Sequence, residues 1–178
     1  MARQHYATGL LSDARKSDTV IRLCRAAIEL DKDYSRAWAL MATAQRMRLY
    51  ATGGGDSGAV AASRALALDA NLAEAHAAKG GILAAGGDYS AAEAEIAIAM
   101  SLDPESIDVH REAARLCFHR RRFEEAIGHW ERVSALMEAD YASGALLITC
   151  HTALGDMDGV RRVAERTIAR AEKVVTAE

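Results

Sequence analysis

Apolar positions along the chain form short stripes at helical spacing, and each pair of stripes is separated by a polar or glycine-rich break. Ala75, Ile82 and Leu83 mark one stripe, Gly86-Gly87-Asp88 interrupts it, and Tyr89, Ala92, Ile96, Ala99 and Leu102 mark the next. Asp103-Pro104-Glu105-Ser106 closes that second helix, because proline cannot continue a helix interior while Asp and Ser cap the helix that follows. The same layout returns with Arg120-Arg121-Arg122 as the break before Phe123, Ala126, Trp130 and Val133. It returns again with Leu154-Gly155-Asp156 before Met157, Val160 and Ala164. These positions predict two helices per unit joined by a short turn, and no run alternates with the period of two that a strand requires.

The units recur at a fixed step. Ala65, Ala99, Val133 and Thr167 are spaced 34 residues apart, as are Gly58, Ala92, Ala126 and Val160, then His76, His110 and Gly144, and Gly80, Ala114 and Ile148. A step carried by small and bulky positions together is expected of a helical array in which each unit buries its face against its neighbours, not of a closed enzyme domain. Ala27 precedes Ala65 by 38 residues and Trp38 precedes His76 by 38, so the step slips by four. The only loop-like run in that interval is Thr52-Gly53-Gly54-Gly55-Asp56-Ser57-Gly58, where an insertion is expected to lengthen a turn without disturbing either helix, at small loop-closure cost. The expected organisation is one array over 1–178, with units at about 1–34, 35–72, 73–106, 107–140 and 141–178.

Composition narrows the function classes. The 178 residues are 51% hydrophobic with one proline and 5% aromatics, which suits an alanine-rich helical domain able to bury a core. A net charge of −3 argues against a nonspecific nucleic-acid binder. No stretch approaches the roughly 20 apolar residues of a membrane helix. Met1 to Leu11 lacks the layout of a secretory signal, so a soluble cytoplasmic protein is expected. Cys24, Cys117 and Cys150 show no CxxC spacing, which fits a reducing compartment.

Candidate chemistry is sparse. Metal ligands on one helix face need a spacing of three or four, and no two of His5, Cys24, His76, His110, Cys117, His119, His129, Cys150 and His151 have it. Neither a metal nor a cofactor is expected. No GxSxG elbow occurs, and the run from Gly53 to Gly58 lacks the GK[ST] ending of a phosphate-cradling loop. Paired acids such as Glu93/Glu95 and Glu124/Glu125 read as solvated faces. Lys79 stands one residue before Gly80. It is either a snorkelled or salt-bridged side chain or a ligand-facing charge.

These positions resemble the tetratricopeptide repeat family. In the third unit Gly80, Tyr89, Ala92, Ile96, Ala99 and Pro104 match the family pattern, with His76 in the slot for a large residue. The fourth matches at Ala114, Phe123, Ala126, Trp130 and Val133, the second at Trp38, Ala42, Ala65 and Asp69, and the first at Val20, Cys24, Ala27 and Asp31. The fifth departs at Gly144 and Thr167. The resemblance implies an all-α fold, a right-handed superhelix (α-solenoid) of about five antiparallel helix pairs whose first helices line a concave groove.

On that register the groove offers Arg36, Thr43, Arg46 and Met47, then a shallow floor of Ala77, Ala78, Gly81, Ala84 and Ala85, then Arg111, Arg115, Phe118 and His119. Arg111, Arg115 and His119 follow one another four apart and form a basic stripe. Such a stripe is suited to an extended acidic peptide or a chain-terminal carboxylate, with Phe118 as an apolar anchor. In the competing reading Glu74, Asp108 and Glu112 neutralise these arginines on a solvated face. The carboxylate clamp of chaperone-binding family members needs Lys and Asn where this chain has Ala39, Thr43 and Ala78, so chaperone tails are not the expected ligand.

The resemblance therefore implies a non-catalytic module that binds a protein or acidic peptide. One alternative is a regulatory or oligomerisation segment of a larger signalling enzyme, since the closing segment is similar to arrays appended to bacterial nucleotide cyclases. Another is a hydrolase or metal enzyme built on Cys117, His119, Cys150 and His151. Val160, Val163, Ala164, Thr167, Ile168, Ala171, Val174 and Val175 keep an apolar stripe running almost to Glu178 without a capping glycine. That stripe predicts a truncated array or an edge available for self-association.

Overall fold

A computed structural model describes residues 14–137 and 140–176. His5 and the Met1 to Leu11 segment lie outside the described residues, as do the side chains of Val174 and Val175. Every regular element among the described residues is an α-helix: α1 (Ala14–Leu30), α2 (Ser35–Thr52), α3 (Ala59–Leu68), α4 (Ala73–Ala85), α5 (Tyr89–Leu102), α6 (Ile107–His119), α7 (Phe123–Leu136), α8 (Ala142–Leu154) and α9 (Met157–Thr176). Consecutive helices pack as hairpins, and α2, α4 and α6 lie side by side. The apolar clusters succeed one another along the stack and do not share a centre, as expected of an α-solenoid in which each unit is buried by its neighbours. Ala42, Ala92, Ala99, Ala114 and Ala126 are completely buried, because close approach of helix axes leaves no room for more than a methyl group.

The turns between units are built by one repeated device. Asp31, Asp69 and Asp103 each accept, through Oδ1, the backbone N–H two residues on, from Asp33, Asn71 and Glu105 at 3.0, 3.0 and 3.1 Å. A ring nitrogen on the next helix then reaches the carbonyl after each Asp. Trp38 Nε1 donates to Lys32 O at 3.0 Å, His76 Nε2 to Ala70 O at 2.9 Å and His110 Nε2 to Pro104 O at 2.9 Å. A carbonyl can only accept, so both histidines carry hydrogen on Nε2.

Within units, the joints share a left-handed residue: Gly87 (φ 87°), Arg121 (φ 58°) and Gly155 (φ 74°) occupy equivalent positions. Arg121 adopts this conformation without glycine's freedom, and its side chain is exposed. An L-residue there costs about 1–2 kcal/mol. Glycine gives back part of that through its greater unfolded-state entropy, about 0.5–1 kcal/mol. Arg121→Gly is expected to raise stability by about 0.5–1 kcal/mol, seen as a higher urea midpoint at unchanged slope.

The four-residue slip falls in the expected turn, which runs over 53–58 and is longer than 86–88 or 120–122, but the flanking helices change with it. Helix α2 has 18 residues where α4, α6 and α8 have 13, and α3 has 10 where α5 and α7 have 14. Arg48-Leu49-Tyr50-Ala51-Thr52 are compatible with helix and extend α2 to the first glycine. There Gly53 turns left-handed (φ 69°) and donates its N–H to Leu49 O at 2.8 Å. Both helices are altered: one gains a turn, the other starts a turn late.

Candidate functional site

Arg46 on α2 reaches across α4 to Glu112 on α6. Its Nη2 donates to Glu112 Oε1 at 2.6 Å and to Oε2 at 2.7 Å, while Arg115 Nη1, one turn further along α6, donates to the same Oε1 at 2.6 Å. The three side chains are 9%, 4% and 14% exposed, so two guanidiniums share one carboxylate in a largely desolvated setting. The crossing depends on Gly81: a Cβ at that position would collide with Glu112 Oε2 and lie 3.0 Å from the Arg46 guanidinium carbon. A glycine in the middle of a helix signals such a close approach. Neither its partners nor the 66-residue separation of Arg46 and Glu112 is visible in local spacing.

This bridge divides the expected groove in two. On one side, Arg36, Thr43 and Arg111 border a space of about 20 Å³, room for a water molecule at most, together with Glu74, Asp108 and Glu112. Arg36 is exposed at its rim, whereas Arg111 is buried beside Asp140, 3.9 Å away. On the other side lies a cavity of about 310 Å³ bordered by Arg46, Glu112, Arg115 and His119, with Leu49, Tyr50, Tyr89 and Leu116 as apolar walls. Two of the groove positions lie elsewhere. Met47 is buried in the body of α2, and Phe118 packs against the α6–α9 cluster with its ring 5.7 Å from Phe123; neither lines either space. The shallow floor is not open at Gly81, because the ion pair covers it. Glu112 does neutralise Arg46 and Arg115, but as a buried partner and not on a solvated face.

Other polar candidates resolve into packing networks. Lys79 Nζ pairs with Glu95 Oε1 at 2.6 Å, and His76 Nδ1 meets Glu95 Oε2 at 2.7 Å. Burial alone would raise the Glu95 pKa, but these hydrogen bonds and the charges of Lys79 and His76 outweigh it and hold the carboxyl below its ordinary value. Burial pushes the Cys24 and Cys150 thiols up to about 11, so both stay protonated and inert. Cys117, His119, Cys150 and His151 form no metal site: among the described residues no group of three or more His, Cys, Asp or Glu is placed to hold an ion.

His129 stands one repeat after Glu95, and its Nδ1 lies 3.0 Å from His110 Nδ1. Burial, followed by the charge of His110, lowers its pKa, with Glu125 opposing. The unfolded state therefore takes up this proton before the folded state does. The stabilisation is complete above the unfolded value of about 6.5 and is lost as pH falls below it. Between pH 7.5 and 5.5 the melting temperature is expected to fall, and His129→Gln should flatten that dependence; an unchanged slope in the variant would assign the effect elsewhere. The lowered Glu95 carboxyl acts only at more acid pH, below about 4.3.

On α9, Val163 is buried, Val160, Ala164, Thr167 and Ala171 are half-buried, and Ile168 is 59% exposed. No helix among the described residues is long and apolar enough to cross a membrane.

No family model matches the sequence, and no curated protein matches it. Solved structures do. The crystal structure of MamA aligns with a TM-score of 0.62 over 90% of this chain and 92% of that one, at 14% identity. A human IFIT1 dimer with PPP-AAAA aligns at 0.69 over 94% of this chain and 39% of that one, at 15% identity. YrrB, described as a TPR protein with an unusual peptide-binding site, aligns at 0.55 over 90% and 80%, at 11% identity. At these identities the likeness is one of fold.

Proposed function

We propose that this tetratricopeptide-type array is a non-catalytic interaction module, and that a carboxylate-bearing segment of a partner protein occupies the 310 Å³ cavity beside the Arg46–Glu112 bridge. The observation that carries this reading is the local charge: Arg46 and Arg115 face one carboxylate, Glu112, where water is largely excluded. An incoming carboxylate there gains charge-assisted hydrogen bonds that are stronger than in bulk water. Tyr50, 76% exposed, and Tyr89 supply the apolar anchor first assigned to Phe118. Arg46, Arg115 and His119 face the ligand, whereas Arg36, Thr43 and Arg111 border a space too small for a side chain. The whole of 1–178 is read as a single array of five units, with α1 as the second helix of the first unit. Three buried free cysteines support a reducing, cytoplasmic setting.

The test uses a labelled, end-blocked peptide of alternating Glu and Leu, titrated by fluorescence anisotropy. Tyr50→Glu combined with His119→Glu changes two exposed side chains, so the helical signal should be unchanged while affinity falls at least tenfold. Equal binding by wild type and variant would refute the assignment of this cavity.

A further inference from the structure

The extended α2 and the joint after it form one side of a second cavity, of about 570 Å³, whose other side is α1. Its volume falls within the roughly 300–1,000 Å³ usual for ligand sites. Much of its wall is locked. Arg48 Nε pairs with Asp18 at 2.5 Å, and Asp56 accepts both Gln45 Nε2 at 3.3 Å and Gly58 N–H at 2.8 Å. The bond to Asp56 fixes which end of the Gln45 amide is nitrogen. Its Oε1 is left buried with no hydrogen-bond partner among the described residues, in a residue only 9% exposed. A buried acceptor without a donor is destabilising, and Gln45 borders the cavity, so a small turn of its side chain toward a donating ligand would satisfy it.

The second unsatisfied chemistry is cationic. Arg22 and Arg25, one turn apart on α1, line the same cavity, are exposed, and make no ion pair among the described residues. Asp18, Glu29 and Asp56 also border it, so a chain of phosphates would be repelled while a single carboxylate would not. Ile21 and Ala26 supply the apolar part of the lining.

From this combination we infer that the α1–α2 cavity is a second binding site, separate from the groove, for an extended peptide segment. An acidic side chain of the segment sits between Arg22 and Arg25, and a main-chain N–H of the same segment donates to Gln45 Oε1. The site exists only because α2 runs one turn past the length of the other first helices. That extension brings Arg48 to Asp18, and the joint after it brings Asp56 to Gln45.

The 178-residue chain, labelled with ¹⁵N, is titrated with an acetylated and amidated hexapeptide of alanine and leucine carrying one central Asp. Shifts are expected at the Gln45 side-chain amide and at the Arg22 and Arg25 Nε–H signals. Read at the Gln45 signal, which both variants keep, Arg22→Glu with Arg25→Glu should weaken binding at least tenfold, while Tyr50→Glu with His119→Glu, which acts on the groove, leaves the Gln45 response within twofold. Three results would overturn the inference: equal shifts at the wild-type signals with the peptide carrying Asn in place of Asp, stronger shifts with a thymidine trinucleotide, or a response at Arg115 and His119 with none at Gln45, Arg22 and Arg25.

Discussion

Replacing Glu112 with alanine is expected to destabilise the array by about 3–5 kcal/mol, the range for removing one partner of a buried ion pair and stranding the other. Here two guanidiniums lose their common carboxylate, and Arg46 already has a buried Nε without a partner. At about 2–4 °C per kcal/mol for a chain of this size, the melting temperature should drop by roughly 6–20 °C. Charge loss and packing loss are separable. In Arg46→Met combined with Glu112→Leu the crossing becomes apolar and only Arg115, nearer solvent, remains, so most of the stability should return. A double variant no more stable than Glu112→Ala would mean that the bridge acts through shape and not through charge.

Gly58→Ala is the second large effect, about 3 kcal/mol. Gly58 stands at the start of α3 with φ 87°, and a Cβ there would strike the Ala42 carbonyl oxygen and lie 3.0 Å from the Ala42 Cα. The left-handed backbone accounts for about 1–2 kcal/mol. Contact with main chain, which cannot swing away as a side chain does, adds about 1–3 kcal/mol. Gly53→Ala supplies the control, because Gly53 is also left-handed (φ 69°) but a Cβ there meets nothing within 4 Å. Thermal melts of the two variants should differ by the collision alone, and equal losses would show that backbone conformation explains both.

The helix pairs were legible because their determinants are local and repeated: a glycine or arginine joint, an Asp-led turn, small residues in step. The slip falls in the expected turn and lengthens it, but the two helices beside it do not stay undisturbed. Glycines at 53–55 mark where a helix must stop, but nothing before them says that Arg48 to Thr52 will be helical and not part of the turn. The candidate site was legible only in part. Arg115 and Glu112 sit three apart and announce a pairing, whereas the partner that buries Glu112 comes from two units away over Gly81. Phe118 was misplaced because a groove-facing and a core-facing position differ by less than a quarter turn of helix, and its contact with Phe123 decides between them. The fifth unit's two departures prove to be one. A Cβ on Gly144 would run into Thr167, so the large member of the pair has moved to the opposite helix.

Trp38, His76 and His110 share one consequence. They are synonyms at a position whose vocabulary is defined by an N–H at the far edge of a ring, able to reach a carbonyl six residues upstream, and not by volume. Phenylalanine nearly matches them in bulk, yet it would leave that carbonyl unanswered and is outside the vocabulary. A search for further units of this kind should therefore score indole and imidazole alike at that place, and should accept glycine there only when threonine or another larger side chain fills the facing position, as Thr167 does for Gly144.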